Sequence, residues 1–366
     1  MSTPLRLLLV TDAVGGVWTY SLELARALKP LGIETVLALM GPSPSPSQRE
    51  AASGFKLIDT GLPLDWIDAD AGEIRRTGRA VAAIADIEGV DVVQTCSAAL
   101  LADVEFGQPC VAVQHSCVAS WWAAVKATPL PDEFAWRRDL VEAGLHRAAA
   151  IVAPSVAFAS ETARLYDVEV AAVHNGRSAE LVRALPQGDF VFTAARLWDE
   201  GKNAATLDAA AARLEIPFEA AGPQHGPNGT TIELRHMRTL GELGPSRVSG
   251  LLATRPIFAS AALYEPFGLS VLEAALAGCP LILSDIATHR EMWTAAAIFI
   301  SPRDDAAFAR AIQDLIDDPD ERQQLGQLAR ARAQLYSPHR MARAMAEIYA
   351  RVAAPDLAHQ AVAGTA

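Results

Sequence analysis

Continuous apolar runs, separated by stretches with helical periodicity, punctuate this chain. Leu5 to Val10, apolar but for Arg6, is the first such run and predicts a parallel strand buried on both faces. Asp12 to Gly16 forms the turn after it. Trp18, Leu22, Ala25 and Leu28 then recur at helical spacing. Gly32 ends that helix, and Ile33 to Met40 is a second strand. Pro42-Ser43-Pro44-Ser45-Pro46-Ser47 predicts an extended surface loop, because proline cannot continue a sheet. Further strands are predicted at Val90 to Thr95, Cys110 to Gln114, Ala150 to Ala153 and Glu169 to Val173. Helices separate them, including Ala71 to Ala85 and Trp136 to Ala148.

A polar connector, Arg183 to Asp189, precedes a second alternating unit. Its strands are Phe190 to Ala194, Phe218 to Ala221, Ile257 to Ser260, Leu281 to Ser284 and Ile298 to Ile300. Its helices include Asn203 to Leu214, Leu269 to Ala277 and Asp305 to Ile316, and His339 to Val352 is a final amphipathic helix. The segment from Pro223 to Arg255 is rich in glycine and proline and shows no clean helix. Alternation of this kind predicts an α/β chain of two Rossmann-like, doubly wound domains facing a cleft. The expected boundaries are residues 1–182, 183–338 and a C-terminal helix with tail at 339–366.

Composition narrows the function classes. The 366 residues suit two domains, and 51% hydrophobic content supports large cores. A net charge of -12 disfavours nucleic acid as a partner and leaves at most peripheral contact with a membrane. Arg75, Arg76 and Arg79 read as a solvated helix face rather than a membrane-binding one. Cys96, Cys110, Cys117 and Cys279 form no CxxC pair, so reduced thiols are expected. The N-terminus lacks the pattern of a secretory signal, and no apolar run reaches membrane-spanning length. A cytoplasmic protein is the expectation.

The candidate chemistry gathers at strand ends. Glu265-Pro266-Phe267-Gly268-Leu269 leads into a helix that carries Glu273. Helix N-termini present free N–H groups and partial positive charge, which suits phosphate. Carboxylates accept hydrogen bonds from sugar hydroxyls. The combination points to a nucleotide-sugar. Arg196 and Lys202 follow the first strand of the second unit, where a diphosphate would lie. Gly15-Gly16 opens the first helix and permits close backbone approach, although a tight turn with no ligand explains the pair equally well. No G-x-G-x-x-G is present, which disfavours a dehydrogenase. His115 ends a strand and reads either as structural or as a contact to a reacting hydroxyl. Trp121 and Trp122 read either as packing or as a flat wall for a sugar acceptor. No metal motif is seen; Asp68-Ala69-Asp70 lacks a supporting strand pattern. Neither a nucleophile elbow nor a Walker loop is present.

On these residues the chain resembles a retaining glycosyltransferase of the GT-B type, family four. The resemblance rests on Gly15-Gly16, His115, Asn175-Gly176, Arg196 with Lys202, and Glu265 with Glu273, which match the family's E-x7-E pattern. Ser284-Asp285 with His289-Arg290-Glu291 resembles the family's next loop. It implies that Glu265 holds donor-sugar hydroxyls and that backbone around Phe267, Gly268 and Leu269 supports sugar and phosphate. It also implies that Glu273 holds the ribose, and that Arg196 and Lys202 neutralise the diphosphate without a metal. Gly16 would approach the phosphate or acceptor, His115 would lie near the reacting carbon, and Asn175 would belong to the donor site. Leu240, within Arg238 to Gly241, is the expected base-binding position, and the last helix would cross back onto the first domain. No cofactor is expected; the nucleotide-diphosphate sugar is a co-substrate, and the acceptor is a carbohydrate or lipid-linked. Two other readings stay open, a non-catalytic nucleotide-sugar binding subunit and a nucleotide-sugar epimerase on the same scaffold. A phosphorylase is disfavoured, because no lysine stands in a clear pyridoxal phosphate setting.

Overall fold

The computed structural model describes residues 4–67, 70–178 and 185–354. Asp68, the end of the first domain expected at 182, the start of the connector at 183 and the tail beyond 354 lie outside the described residues. Thirteen strands and thirteen α-helices alternate along the described chain. In the first half these are β1 (Leu5–Asp12), α1 (Gly16–Leu28), β2 (Ile33–Met40), α2 (Pro46–Ala51), β3 (Lys56–Asp59), α3 (Ala71–Glu88) and β4 (Val92–Thr95). They continue with β5 (Cys110–Val113), α4 (Val118–Val125), α5 (Ala135–Leu145), β6 (Ala150–Ala153), α6 (Val156–Tyr166) and β7 (Ala171–Ala172). The second half holds β8 (Val191–Ala194), α7 (Ala204–Ala211), β9 (Phe218–Ala221), β10 (Arg238–Thr239), α8 (Pro245–Leu252), β11 (Ile257–Ser260) and α9 (Leu269–Ala277). It ends with β12 (Leu281–Ser284), α10 (Ala287–Trp293), β13 (Ile298–Ile300), α11 (Asp305–Asp317), α12 (Pro319–Ala333) and α13 (Pro338–Ala353).

The chain divides into two units. Of the described residues, the first unit takes those up to 123, 128–176 and those from 338 onward; the second takes 124–127 and 177–337. The first unit holds a seven-stranded sheet in the order β3-β2-β1-β4-β5-β6-β7. The second holds a six-stranded sheet in the order β10-β9-β8-β11-β12-β13. Every ladder in both sheets is parallel.

The continuous apolar runs explain the two-sided burial. In β1, Leu8 and Val10 point into a cluster with Ile74, Val81, Leu140 and Leu145. Leu7 and Leu9, one residue out of phase, point into another with Leu22, Leu24, Met345 and Tyr349. Alternate side chains leave opposite faces of a strand, so one run feeds two cores. The second sheet repeats this: Val191 and Ile257 pack with Leu207 and Ile312, while Phe192 and Phe258 pack with Leu272 and Trp293. The C-terminal helix α13 belongs to the first of these units. Met341, Ala342, Met345, Ile348 and Tyr349 are all buried there, and the Tyr349 hydroxyl donates to Gln94 of β4.

Two local expectations are corrected. The proline-serine segment does not stay extended: Ser45 caps α2 in a reciprocal capping box with Gln48, and Pro46 takes the first turn. Proline lacks the N–H that would go unpaired at that position, so a residue that cannot continue a sheet can still begin a helix. The glycine- and proline-rich segment before β11 contains α8, which again begins at a proline, Pro245.

Candidate active site

The order of each parallel sheet places its functional end. In the second unit the chain moves outward from β8 to β9 on one side and to β11 on the other. Such a reversal leaves a crevice beyond the carboxyl ends of the two central strands. The segments that leave those ends are 195–203, after β8, and 261–268, after β11.

These two loops are bonded to each other. Leu263 and Tyr264 donate their N–H groups to the Gly201 carbonyl at 2.8 and 3.2 Å. The Asn203 side-chain amide donates to the Ala261 carbonyl at 2.9 Å and to the Pro302 carbonyl at 2.7 Å. Asp199 accepts from the Gly201 N–H at 2.9 Å, which folds the turn that presents Lys202. Lys202 Nζ then lies 2.6 Å from Glu265 Oε2, with only 16% and 14% of the two side chains exposed. Arg196 pairs with Asp199 at 2.8 Å, lies over the Trp198 ring, and keeps 37% of its side chain exposed.

Gly268 sets the angle at which α9 begins. It has φ +90, a left-handed conformation natural to glycine, and a side chain there would come within 3.3 Å of Glu265. No side chain caps α9, and its first turn holds no acid. Its N-terminal amides are thus suited to an anion beside Glu265. Phe267 is buried, and its ring meets that of Tyr336 edge-on at 6.0 Å. Glu273, on the second turn of α9, accepts from Arg177 Nε at 2.7 Å. Arg196, Lys202, Glu265, Phe267, Gly268, Leu269 and Glu273 therefore belong to the central loops and the helix they feed. Leu240 does not: it follows β10 at the sheet edge and packs on the core cluster around Phe192.

Gly15, Gly16, His115, Trp121, Trp122 and Asn175 lie in the first unit. Its own reversal falls between β1 and β4. Gly15, with φ +107, precedes α1, which Gly16 begins, and the space where a Gly15 side chain would stand is open. The Tyr20 ring meets His115 edge-on at 4.5 Å. His115 Nε2 is sealed from solvent with no hydrogen-bond partner among the described residues, as is Oδ1 of buried Asn175. Buried polar atoms of this kind cost free energy unless a water or ligand satisfies them. Trp121 and Trp122 are half-buried on α4, and the Trp122 indole donates to Thr128 at 3.1 Å.

Residues 14–181 match the family model described as Glycosyltransferase Family 4, and residues 232–332 match the model described as Glycosyl transferases group 1. The chain belongs to the GT-B glycosyltransferases. A stretch of 101 residues is 38% identical to a glycogen synthase from Mycobacterium tuberculosis, covering 27% of this chain and 24% of that one. The match thus spans about a quarter of the curated relative. Among solved structures, a sucrose-phosphate synthase from Thermosynechococcus elongatus superposes with a TM-score of 0.79 at 18% identity, over 96% of this chain and 100% of that one. HepE from Anabaena, solved with UDP and glucose, gives 0.74 at 17% identity, over 94% and 99%. At such identities the likeness concerns the fold.

Two residues of this site, Asn203 and Arg177, escaped the sequence reading, and a third was named there without a role, because their roles depend on tertiary partners. Asn203 ties the two loops together, and Arg177 holds Glu273. The third is His289, wholly buried on α10. Its Nδ1 lies 3.0 Å from the Ser284 carbonyl, which only accepts, so Nδ1 carries the proton. Ser284 Oγ, 3.1 Å from the same nitrogen, passes its own proton to the Ala262 carbonyl at 2.6 Å. Burial, aided by the nearby Lys202 charge, holds the imidazolium down against the pull of Glu265 and the Ser284 carbonyl. His289 Nε2 is left as a lone pair with no protein partner. The sequence marks His289 only through the resemblance of Ser284-Asp285 with His289-Arg290-Glu291, which assigns it no role.

Among the described residues, no group of three or more His, Cys, Asp and Glu side chains could hold a metal ion. No described helix is long and apolar enough to cross a membrane.

Burial lowers the His115 pKa from 6.5 to about 4, so the ring is neutral at pH 7. Between those two values the unfolded chain binds more protons than the folded one. His115 therefore adds full stability above pH 6.5, and that contribution falls away as the pH drops toward 4. The whole effect amounts to roughly 3 kcal/mol. An NMR titration of His115 should show a midpoint near 4; a midpoint at the ordinary value for histidine would show that the ring is solvated.

Proposed function

We propose that the protein transfers a hexosyl group from a nucleotide-diphosphate sugar to an acceptor hydroxyl, with retention at the anomeric carbon and without a metal. The observation that carries this reading is the Lys202–Glu265 pair at the reversal point of the second sheet, beside the uncapped start of α9. A carboxylate for hydroxyls, a cation for a diphosphate and a helix dipole for an anion converge there. Few ligands other than a sugar joined to a phosphate use all three.

In this reading the Lys202–Glu265 pair opens to receive the donor. Donor hydroxyls compete for Glu265, and the diphosphate draws Lys202 and Arg196. Glu273 takes the ribose hydroxyls. As the glycosidic bond breaks, negative charge grows on the leaving diphosphate. Fixed cations and amide dipoles stabilise that charge more in the transition state than in the ground state. The acceptor hydroxyl attacks from the leaving group's side, and a phosphate oxygen takes its proton. Neutral His115 and Asn175, each with an unsatisfied polar atom, are suited to hydroxyl contacts in the first unit, where Gly15 and Gly16 offer backbone close to a ligand. The Trp121 and Trp122 rings, tilted 59° to each other, each offer a flat face to a carbohydrate or the sugar of a lipid-linked acceptor.

A thermal-shift series with UDP, GDP and ADP tests the donor class. The true nucleotide at a hundred times its Kd should stabilise the protein by about 2.7 kcal/mol, raising Tm by several degrees. UDP is the first to try, because HepE was solved with it. The matching labelled sugar donor is then assayed for hydrolysis and transfer. No shift with any nucleotide would overturn the reading. Binding without hydrolysis or transfer would favour a non-catalytic subunit, and conversion of the donor sugar without an acceptor would favour an epimerase.

A further inference from the structure

Arg177 is held at both ends. Its Nε donates to Glu273 Oε1 at 2.7 Å, with 15% of the arginine side chain and 27% of the glutamate side chain exposed. Its backbone N–H donates to the Tyr336 carbonyl at 3.2 Å. Tyr336 is buried, gives its hydroxyl proton to the Met292 carbonyl at 3.1 Å, and sets its ring edge-on against both Phe267 and Trp293. Arg177 thus links Glu273 to the aromatic cluster beneath the loop that starts α9.

We propose that Arg177 is a positioning residue that orients Glu273 toward the donor's ribose and so sets a preference for ribonucleotides over 2′-deoxyribonucleotides. A glutamate side chain has three rotatable bonds, and an unanchored one loses that freedom when it grips a hydroxyl. The guanidinium engages Oε1 from one side and fixes the plane of the carboxylate. Oε2 and the remaining lone pairs then face a predetermined direction. A vicinal diol meets such a preset carboxylate at less cost than a freely rotating one. Lysine would keep the charge but not the planar geometry of the guanidinium.

The proposal rests on the donor-site reading above, and its test separates the two. Dissociation constants for UDP and 2′-deoxy-UDP are measured by calorimetry on the parent, Glu273→Ala, Arg177→Met and Arg177→Lys; if another nucleotide proves to be the ligand, its ribo and deoxy forms are used. Losing a hydrogen bond to a charged group should make the parent favour the ribo form by about tenfold or more. Glu273→Ala should remove that preference. Arg177→Met should cut it to about threefold or less while leaving the deoxy form's affinity nearly unchanged, and Arg177→Lys should restore part of it. A purely structural role would weaken both forms alike. If Arg177→Met keeps the parent's preference, or loses both ligands equally, the proposal fails while the donor reading stands. If Glu273→Ala itself keeps the preference, the ribose role of Glu273 fails first. Should Arg177→Met not fold, Arg177→Lys decides: a full parental preference supports charge alone and overturns the geometric argument.

Discussion

Replacing Lys202 with alanine is expected to slow sugar transfer by about a hundred- to a thousandfold, the loss typical when a fixed group that stabilises developing negative charge is removed. The same change leaves Glu265, 14% exposed, without its cation. An unpaired, largely buried carboxylate costs roughly 1–3 kcal/mol, so stability should fall as well. The two effects can be told apart. In a Lys202→Met, Glu265→Gln double variant no charge is stranded, so the melting temperature should return close to the parent's. Transfer should stay lost, because neither the diphosphate cation nor the hydroxyl-accepting carboxylate remains. Transfer restored along with stability would show that Lys202 serves the fold and not the reaction.

A chain that stops before Pro338 is expected not to fold its first unit. Such a truncation uncovers the face against which Met341, Met345, Ile348 and Tyr349 are buried at 4% exposure or less. Four large side chains at about 1.5–3 kcal/mol each give roughly 6–12 kcal/mol, as large as the net stability of an ordinary domain. The Gln94 carbonyl oxygen also loses the Tyr349 hydroxyl inside the core. The truncated chain should be recovered as aggregate, or should lose its near-ultraviolet dichroism and bind hydrophobic dyes. A milder variant, Met345→Ala, should cost about 2–5 kcal/mol in chemical denaturation. If the truncated chain unfolds with the parent's cooperativity and midpoint, the packing of α13 contributes little.

The fold class was legible because a parallel sheet buried on both faces leaves a strong trace. Leu7 to Val10 and Ile257 to Ala259 are apolar without interruption, and α9 lies between two glycines that mark its ends, Gly268 and Gly278. β3 left no such trace: Lys56 and Asp59 are its exposed ends, with Leu57 and Ile58 half-buried between them. β10 spans two residues at the other sheet's edge, too few for any pattern. For α2 and α8 the signal is ambiguous, since proline at a helix start resembles proline in a loop. At the site, Glu265 and Lys202 could be found from the loops that follow strands. That they contact each other could not, because 63 positions separate them. The role of His289, though not its presence, was hidden for a related reason: a histidine in a helix gives no sign that Ser284 fixes its tautomer.

A crystal structure with the cognate nucleoside diphosphate bound tests the central claim most directly. The account predicts diphosphate oxygens at about 3 Å from Lys202 and Arg196, within hydrogen-bonding distance, and ribose hydroxyls on Glu273. It also predicts that in the complex Lys202 has left its 2.6 Å contact with Glu265. A nucleotide bound elsewhere, with that ion pair still closed, would contradict it.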